Sequence, residues 1–271
     1  MNDYRSTGTA ELTSKLDKGV LILTMNRPHA RNALTDAMAE ALQAELCFAE
    51  ASSKVRCIVL QGAENAFCAG GDLKAMGASL DEDAINTRVR WQCRVQRDTA
   101  GLLYRMPKPT LAVVNGPAAG AGLSLALSCD LRLMVNSAFL LSAFAPVGLS
   151  GDFGIAYFLT RLIGSAKARE LMFLSDRIPA AQALDLGLVN WTCEPEDLPD
   201  RASDISARLA AGPATALGYM KENLNRAVTS PLEDCMNLEA DHHIHCMATD
   251  DHHEGIAEFV EKRPPIFGRC V

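Results

Sequence analysis

No Lys/Arg-rich block occurs anywhere in the 271 residues, and Lys plus Arg number 26 against 33 for Asp plus Glu, a formal net charge of −7. A surface of that sign repels a phosphate backbone, so no nucleic-acid partner is expected. Long apolar runs are also missing. LLSAFAPVGL (140–149) falls well short of the ~20 residues that cross a bilayer core, so no membrane partner is expected either. The opening MNDYRSTGTAELTSKLDKG has polar and charged residues where an export signal needs an apolar segment. Nine cysteines, at 47, 57, 68, 93, 129, 193, 235, 246 and 270, are scattered and odd in number. That pattern reads as free thiols in a reducing, cytoplasmic setting. Neither G-x-G-x-x-G nor G-x-x-x-x-G-K-[ST] occurs, so dinucleotide and P-loop readings fail on spacing. There is no internal repeat and no low-complexity segment.

With 48% hydrophobic residues, a chain of this length can bury a large core. VLILTM (20–25), CIVLQG (57–62), TLAVVN (110–115) and LRLMV (131–135) have the continuous apolar pattern of buried strands, and FLLS (139–142) is a weaker one. Between them AMAEALQAELCFAEA and residues 84–105 have helical periodicity, the second stopped by MPKP (106–109). A further helix begins at IAYFLTRLIG, and beyond about residue 165 the pattern is nearly all helical. Strand–helix alternation followed by a helical tail implies an α/β core over 1–195 and a helical C-terminal region over 196–271.

Two glycine-rich bends each follow a buried strand. NGPAAGAGLSLALSCD (115–130) bends at small residues into a helix that carries nothing larger than methyl until Leu123. Backbone N–H groups at such a helix start are unpaired and partly positive. The second bend, AFCAGGDL (66–73), also leaves the backbone bare. Tight helix-to-sheet packing would account for either bend alone. Two N–H donors, one from each, would instead hold an oxygen that gains negative charge during a reaction.

Five separated blocks then carry a resemblance: NRPHARNAL (26–34), AFCAGGDLKAM (66–76), MPKPTLAVVNGPAAGAGLSLALSCDLRL (106–133), FLSDRIPAAQALDLGLV (173–189) and EGIAEFVEKRPPIF (254–267). In that order they resemble the enoyl-CoA hydratase/isomerase, or crotonase, superfamily over nearly the whole chain. The patterns around 115–122, 143–152 and 254–263 are most similar to its ring-epoxide isomerase branch of phenylacetate breakdown. The resemblance implies a spiral of ββα turns with a helical region that makes trimers, often paired into hexamers. It implies acyl-CoA thioester substrates, coenzyme A entering as part of the substrate, and no prosthetic group or metal. It assigns the two oxyanion-binding amides to Gly71 and Ala121. Arg27, His29 and Ala30 match the loop that touches the coenzyme A phosphates and adenine. Ala69, Asp72, Leu73 and Lys74, and Phe259 and Lys262 of the last helix, match further substrate-contacting positions.

The chain departs from the hydratases at the base. Where they carry two glutamates this sequence has Ser124 and Phe144, both matching substrate-contacting positions, and the carboxylate on that side is Asp152 in VGLSGDFG. Isomerase branches of the superfamily place a lone acid there. An aspartate at this place is also a natural N-cap for a helix starting near Phe153. Phe144, Leu149, Phe153 and Ile155 would make apolar surroundings that raise its pKa toward the working range. The expected reaction is proton removal by Asp152 from an enoyl-CoA, an enolate held at Gly71 and Ala121, and return of the proton elsewhere. Hydration is one alternative. A hydrolase or dehalogenase with Asp152 as nucleophile is another, weakened by Arg97 where a histidine would activate water and by Phe144 where the dehalogenases have Trp. Five of the six histidines fall between 242 and 253, where His242, His245 and His252 or His253 would share a face of a single helix. Their spacing matches no established metal site, so none is expected.

Overall fold

Strands and helices alternate along the first two-thirds of the computed structural model, which describes residues 3–74, 76 and 81–268. The strands are β1 (Asp3–Arg5), β2 (Leu12–Asp17), β3 (Val20–Met25), β4 (Cys57–Gly62), β5 (Thr110–Val114), β6 (Ala118–Ala119), β7 (Leu131–Val135), β8 (Phe139–Leu141), β9 (Ile178–Pro179) and β10 (Trp191–Cys193). The helices are α1 (Asp36–Ala51), α2 (Glu82–Asp98), α3 (Ala100–Arg105), α4 (Ala121–Ser128), α5 (Ile155–Leu174), α6 (Ala180–Asp185), α7 (Leu198–Ala211), α8 (Ala214–Ala227), α9 (Leu232–Met247) and α10 (Asp250–Glu261).

Seven strands form the main sheet in the order β1-β2-β3-β4-β5-β7-β10. β1, β2 and β3 are joined antiparallel, and from β3 to β10 every pairing is parallel. A parallel strand must be left by a crossover on a face of the sheet, and the helices that make those crossovers cover it. That is why β5 is buried at all five positions and why its sequence is a continuous apolar run. A smaller sheet, β6-β8-β9, lies beside the two glycine-rich bends. The α/β core and C-terminal helices expected from the sequence are therefore present.

One helix differs from expectation. Residues 84–105 are two helices, broken at Thr99 (φ −119°, ψ −88°). Its hydroxyl donates to the Val95 carbonyl at 2.6 Å, the back-bonding by which threonine competes with the helical ladder. The later helix starts at Ile155, where the IAYFLTRLIG pattern places it, and not near Phe153 as an Asp152 N-cap would require, because Phe153 (φ +46°) and Gly154 (φ +82°) are left-handed. β1, β2, β6, β9 and β10 are additions to the strands expected from the sequence.

The chain beyond residue 195 is tied to the core. α7 lies on β3, β4 and β7. α8 is fastened by Lys221, which is 7% exposed and donates to the carbonyls of Leu103 (2.7 Å) and Lys108 (3.1 Å) and to Asp130 (2.8 Å). α9 packs on α8, and α10 on α9.

Candidate active site

The two glycine-rich bends touch. A Cβ placed on Gly70 would stand 3.2 Å from the Ala119 carbonyl oxygen and 3.7 Å from the Gly120 Cα. Ladder bonds fix this contact on both sides. Leu34 pairs with Gly71, its N–H donating to the Gly70 carbonyl (2.8 Å) and its carbonyl accepting from the Asp72 N–H (3.0 Å). Because ladder groups alternate along a strand, the Gly71 N–H turns away from Leu34. On the other flank Cys68 pairs with Ala118, and the Ala119 N–H donates to the Cys68 carbonyl at 2.9 Å.

Gly120 then turns the chain with φ +51° and ψ −123°, a region open in practice to glycine, and α4 starts at Ala121. The Ala121 N–H belongs to the first helical turn, which has no intrahelical acceptor. Gly122 lets the helix close on the other bend, since a side chain there would lie 2.6 Å from the Cys68 Cβ. The Gly71 and Ala121 amides thus lie on adjoining segments.

Two asparagines hold the 66–73 bend in place. Asn115 donates from Nδ2 to the carbonyls of Gly62 (2.9 Å) and Glu64 (2.6 Å), and its Oδ1 accepts from the Gly62 N–H (3.2 Å). Asn32 is fully buried and donates to the carbonyls of Ala63 and Ala66.

Asp152 lies on the loop between β8 and α5, and it is not the helix cap. Gly154 holds the N-cap position, without a side-chain cap. The carboxyl Oδ1 is buried and has no hydrogen-bond partner. Burial pushes its pKa up to about 6. A carboxylate that satisfies neither a cap nor an ion pair is free to take a proton from a ligand. The nearby Cys68 thiol, also buried, is pushed up to about 12 and stays neutral. Ser124 is fully buried, and its hydroxyl donates to the main-chain carbonyls of Asp152 (3.0 Å) and Gly120 (3.2 Å). It therefore stands behind the site and not among substrate-contacting groups. Phe144 is likewise buried, its ring 3.9 Å from a Cβ built on Gly120. The sequence reading missed Gln96 of α2, whose Oε1 accepts the Phe153 N–H at 2.7 Å; nothing in its neighbours along the chain signals that use.

The remaining predicted residues divide. Arg27 is committed inside the protein: it pairs with Glu11 (3.2 Å) and Asp72 (3.1 Å) and donates to the Ala33 carbonyl (2.8 Å). Two carboxylates neutralise the guanidinium expected at coenzyme A phosphates, and Asp72 is engaged by the same pair. Asp72 also accepts the Lys74 N–H at 3.1 Å. His29, Ala69, Leu73 and Lys74 are exposed and Ala30 is half-buried, all on the segments that flank the Gly71 bend. The Met76 methyl sits where a Gly71 side chain would point. Phe259 and Lys262 are exposed on α10 and at its C-cap, on a helix that packs on α9.

The histidines do not share one helix. His242 is buried on α9, stacked on Tyr219 at 4.0 Å, with Nδ1 2.6 Å from the Asn223 Oδ1, whereas His252 and His253 lie on α10. Among the described residues no three His, Cys, Asp or Glu gather in a metal-holding arrangement.

Known proteins match this architecture over almost its whole length. Residues 15–269 match the family model described as enoyl-CoA hydratase/isomerase. The 1,2-epoxyphenylacetyl-CoA isomerase of Escherichia coli K12 is 34% identical over 256 residues, covering 94% of this chain and 97% of the relative. The short-chain-enoyl-CoA hydratase of Clostridium acetobutylicum is 30% identical over 245 residues, 90% and 92% of the two chains. A crystal structure of an enoyl-CoA hydratase from Polaromonas sp. JS666 superposes with a TM-score of 0.89 at 34% identity, covering 95% of this chain and 99% of that one. The chain belongs to the enoyl-CoA hydratase/isomerase family.

Proposed function

We propose that this protein is an acyl-CoA isomerase that shifts a double bond or a ring valence in an enoyl-CoA thioester through an enolate. The observation that carries the reading is the state of Asp152: a half-buried acid whose Oδ1 is sealed from solvent without a hydrogen-bond partner, with Ser124 and Phe144 where a two-carboxylate hydratase needs glutamates. Asp152 takes a proton from the α or γ carbon, and the C–H electrons move into the thioester carbonyl. The resulting oxyanion accepts hydrogen bonds from the Gly71 and Ala121 amides, a term whose loss typically costs about 2.7–4 kcal/mol of barrier. The protonated Asp152 then returns the proton at another carbon. Adding water would need a second group to activate it, and the Ser124 hydroxyl, directed at main-chain carbonyls, is not placed to do so.

The reaction needs no prosthetic group, coenzyme A being part of the substrate. Eight described cysteines are free thiols and no helix among the described residues is long and apolar enough to cross a membrane, which supports a cytoplasmic setting. A homotrimer or a dimer of trimers is the assembly proposed. Apolar side chains left open on the C-terminal helices, Leu224, Leu232, Phe259 and Val260 among them, support it.

The test is conversion of a 3-enoyl-CoA to its 2-enoyl isomer, followed by NMR in deuterated water with wild type and Asp152→Asn. Isomerisation without hydration, with solvent deuterium entering the acyl chain and both lost in the variant, is the expected result. A 3-hydroxyacyl product would overturn the isomerase reading, and undiminished deuterium uptake by the variant would overturn the base assignment.

A further inference from the structure

We propose that Ser124 and Gln96 are positioning residues that clamp the two ends of the Asp152–Phe153 peptide unit and so aim the Asp152 carboxylate into the site. This deepens the reading of Asp152 as the base. The Asp152 carbonyl accepts the Ser124 hydroxyl at 3.0 Å, and the Phe153 N–H donates to the Gln96 Oε1 at 2.7 Å. The carbonyl and the N–H are opposite ends of one planar group, so holding both removes its freedom to rotate. One of the backbone torsions that aim the Asp152 side chain is thereby fixed.

The loop needs such a hold. Gly151 (φ +115°), Phe153 (φ +46°) and Gly154 (φ +82°) are all left-handed, and a non-glycine residue in that region persists only when its surroundings enforce it. Its own secondary structure supplies one bond, from the Ile155 N–H to the Asp152 carbonyl at 3.1 Å. The two clamping side chains come from different elements, α4 and α2. α4 also starts with Ala121, so a single helix carries one oxyanion donor and, three residues on, the group that fixes the base. The hydroxyl is shared with the Gly120 carbonyl at 3.2 Å, the longer of its two contacts.

The polar or titratable groups that face Asp152 from the packed elements are the Cys68 thiol of the loop after β4, the Ser124 hydroxyl of α4 and the Gln96 amide of α2. All are uncharged, and burial is the cause of the raised Asp152 pKa. A carboxylate loosened into water would titrate nearer the ordinary aspartate range, so the clamp has a direct readout in the Asp152 midpoint, with Ser124→Thr and Gln96→Met as the variants that keep the packing closest to the original.

The experiment follows the Asp152 carboxyl by 13C NMR against pH in the substrate-free full-length chain, for wild type, Ser124→Ala, Gln96→Met and Ser124→Thr, alongside kcat and KM for isomerisation. Gln96→Met keeps the shape and removes the acceptor; Ser124→Thr keeps the donor. The expected result is a midpoint near 6 in wild type and in Ser124→Thr, lowered in the other two. With it, kcat should fall about 10- to 100-fold, with KM changed much less, the mark of a misaimed group. An unchanged midpoint in Ser124→Ala and Gln96→Met overturns the clamp. Should Ser124→Ala fail to fold, Gln96→Met, at a half-buried surface of α2, decides alone. Activity retained by Asp152→Asn would end the base reading, and the NMR midpoint would still judge the clamp.

Discussion

Asp152 is the residue whose state can be followed from outside. It must be ionised to accept a proton, so kcat/KM should rise as pH increases through about 6 and level off above it; a flat profile between pH 5 and 8 would contradict the assignment. The same burial has a consequence for stability. The folded pKa lies above the unfolded one, so the folded state binds the proton more tightly, and stability falls as pH rises from about 4 to about 6. Asp152→Asn should remove that cost. At pH 7.5 the variant should melt a few degrees higher than wild type, a gain on the order of 2 kcal/mol, and the difference should vanish near pH 4. Calorimetry at the two pH values checks it. Arg27 teaches the opposite lesson. Its sequence position suggested a phosphate ligand, but Glu11 and Asp72 already balance its charge. A sequence displays a charge without its partner, and the partners here lie on different segments of the chain.

At the scale of elements, the strands most legible in the sequence are those buried on both faces. β3, β4, β5 and β7 are continuous apolar runs because parallel strands are covered by helices above and below. β2 was not legible: LTSKLD mixes apolar and polar residues, and its identity as a strand comes from pairing with β3 over all six positions. The bends at 66–73 and 115–122 were legible as glycine signatures, and their convergence was not, because it depends on ladders to Leu34 and Ala118. Nor was the use of Gln96, which reaches an amide 57 positions away.

Two substitutions test how these elements are seated. Gly122→Val would push a branched side chain into Cys68, separating α4 from the 66–73 bend; it should cost about 2 kcal/mol or more and abolish activity, measured by urea unfolding and turnover. Lys221→Met would leave Asp130 without its cation at a site shared with Thr110. About 3 kcal/mol of stability should be lost, with α8 released first, which proteolysis across residues 212–231 would detect.

The whole molecule leaves a good deal of apolar surface open for a single chain. Phe259 is 83% exposed, Leu232 74% and Leu224 71%, all on the last three helices. Sedimentation velocity at micromolar concentration should therefore show a multiple of 29.2 kDa, and Leu224→Asp combined with Leu232→Asp should reduce it; a monomeric wild type would refute the proposed assembly. The hydrogen-bond ladder around the bends has one more consequence. The amides of Asp72 and Ala119 are tied to Leu34 and Cys68, while the proposed oxyanion donors, the amides of Gly71 and Ala121, are not part of those ladders. In the empty protein, neighbouring positions should thus show opposite protection from amide-hydrogen exchange, slow at 72 and 119, fast at 71 and 121. Any molecule that truly occupies the pair should erase that contrast, leaving a two-residue footprint that locates bound oxygen before a single turnover is recorded.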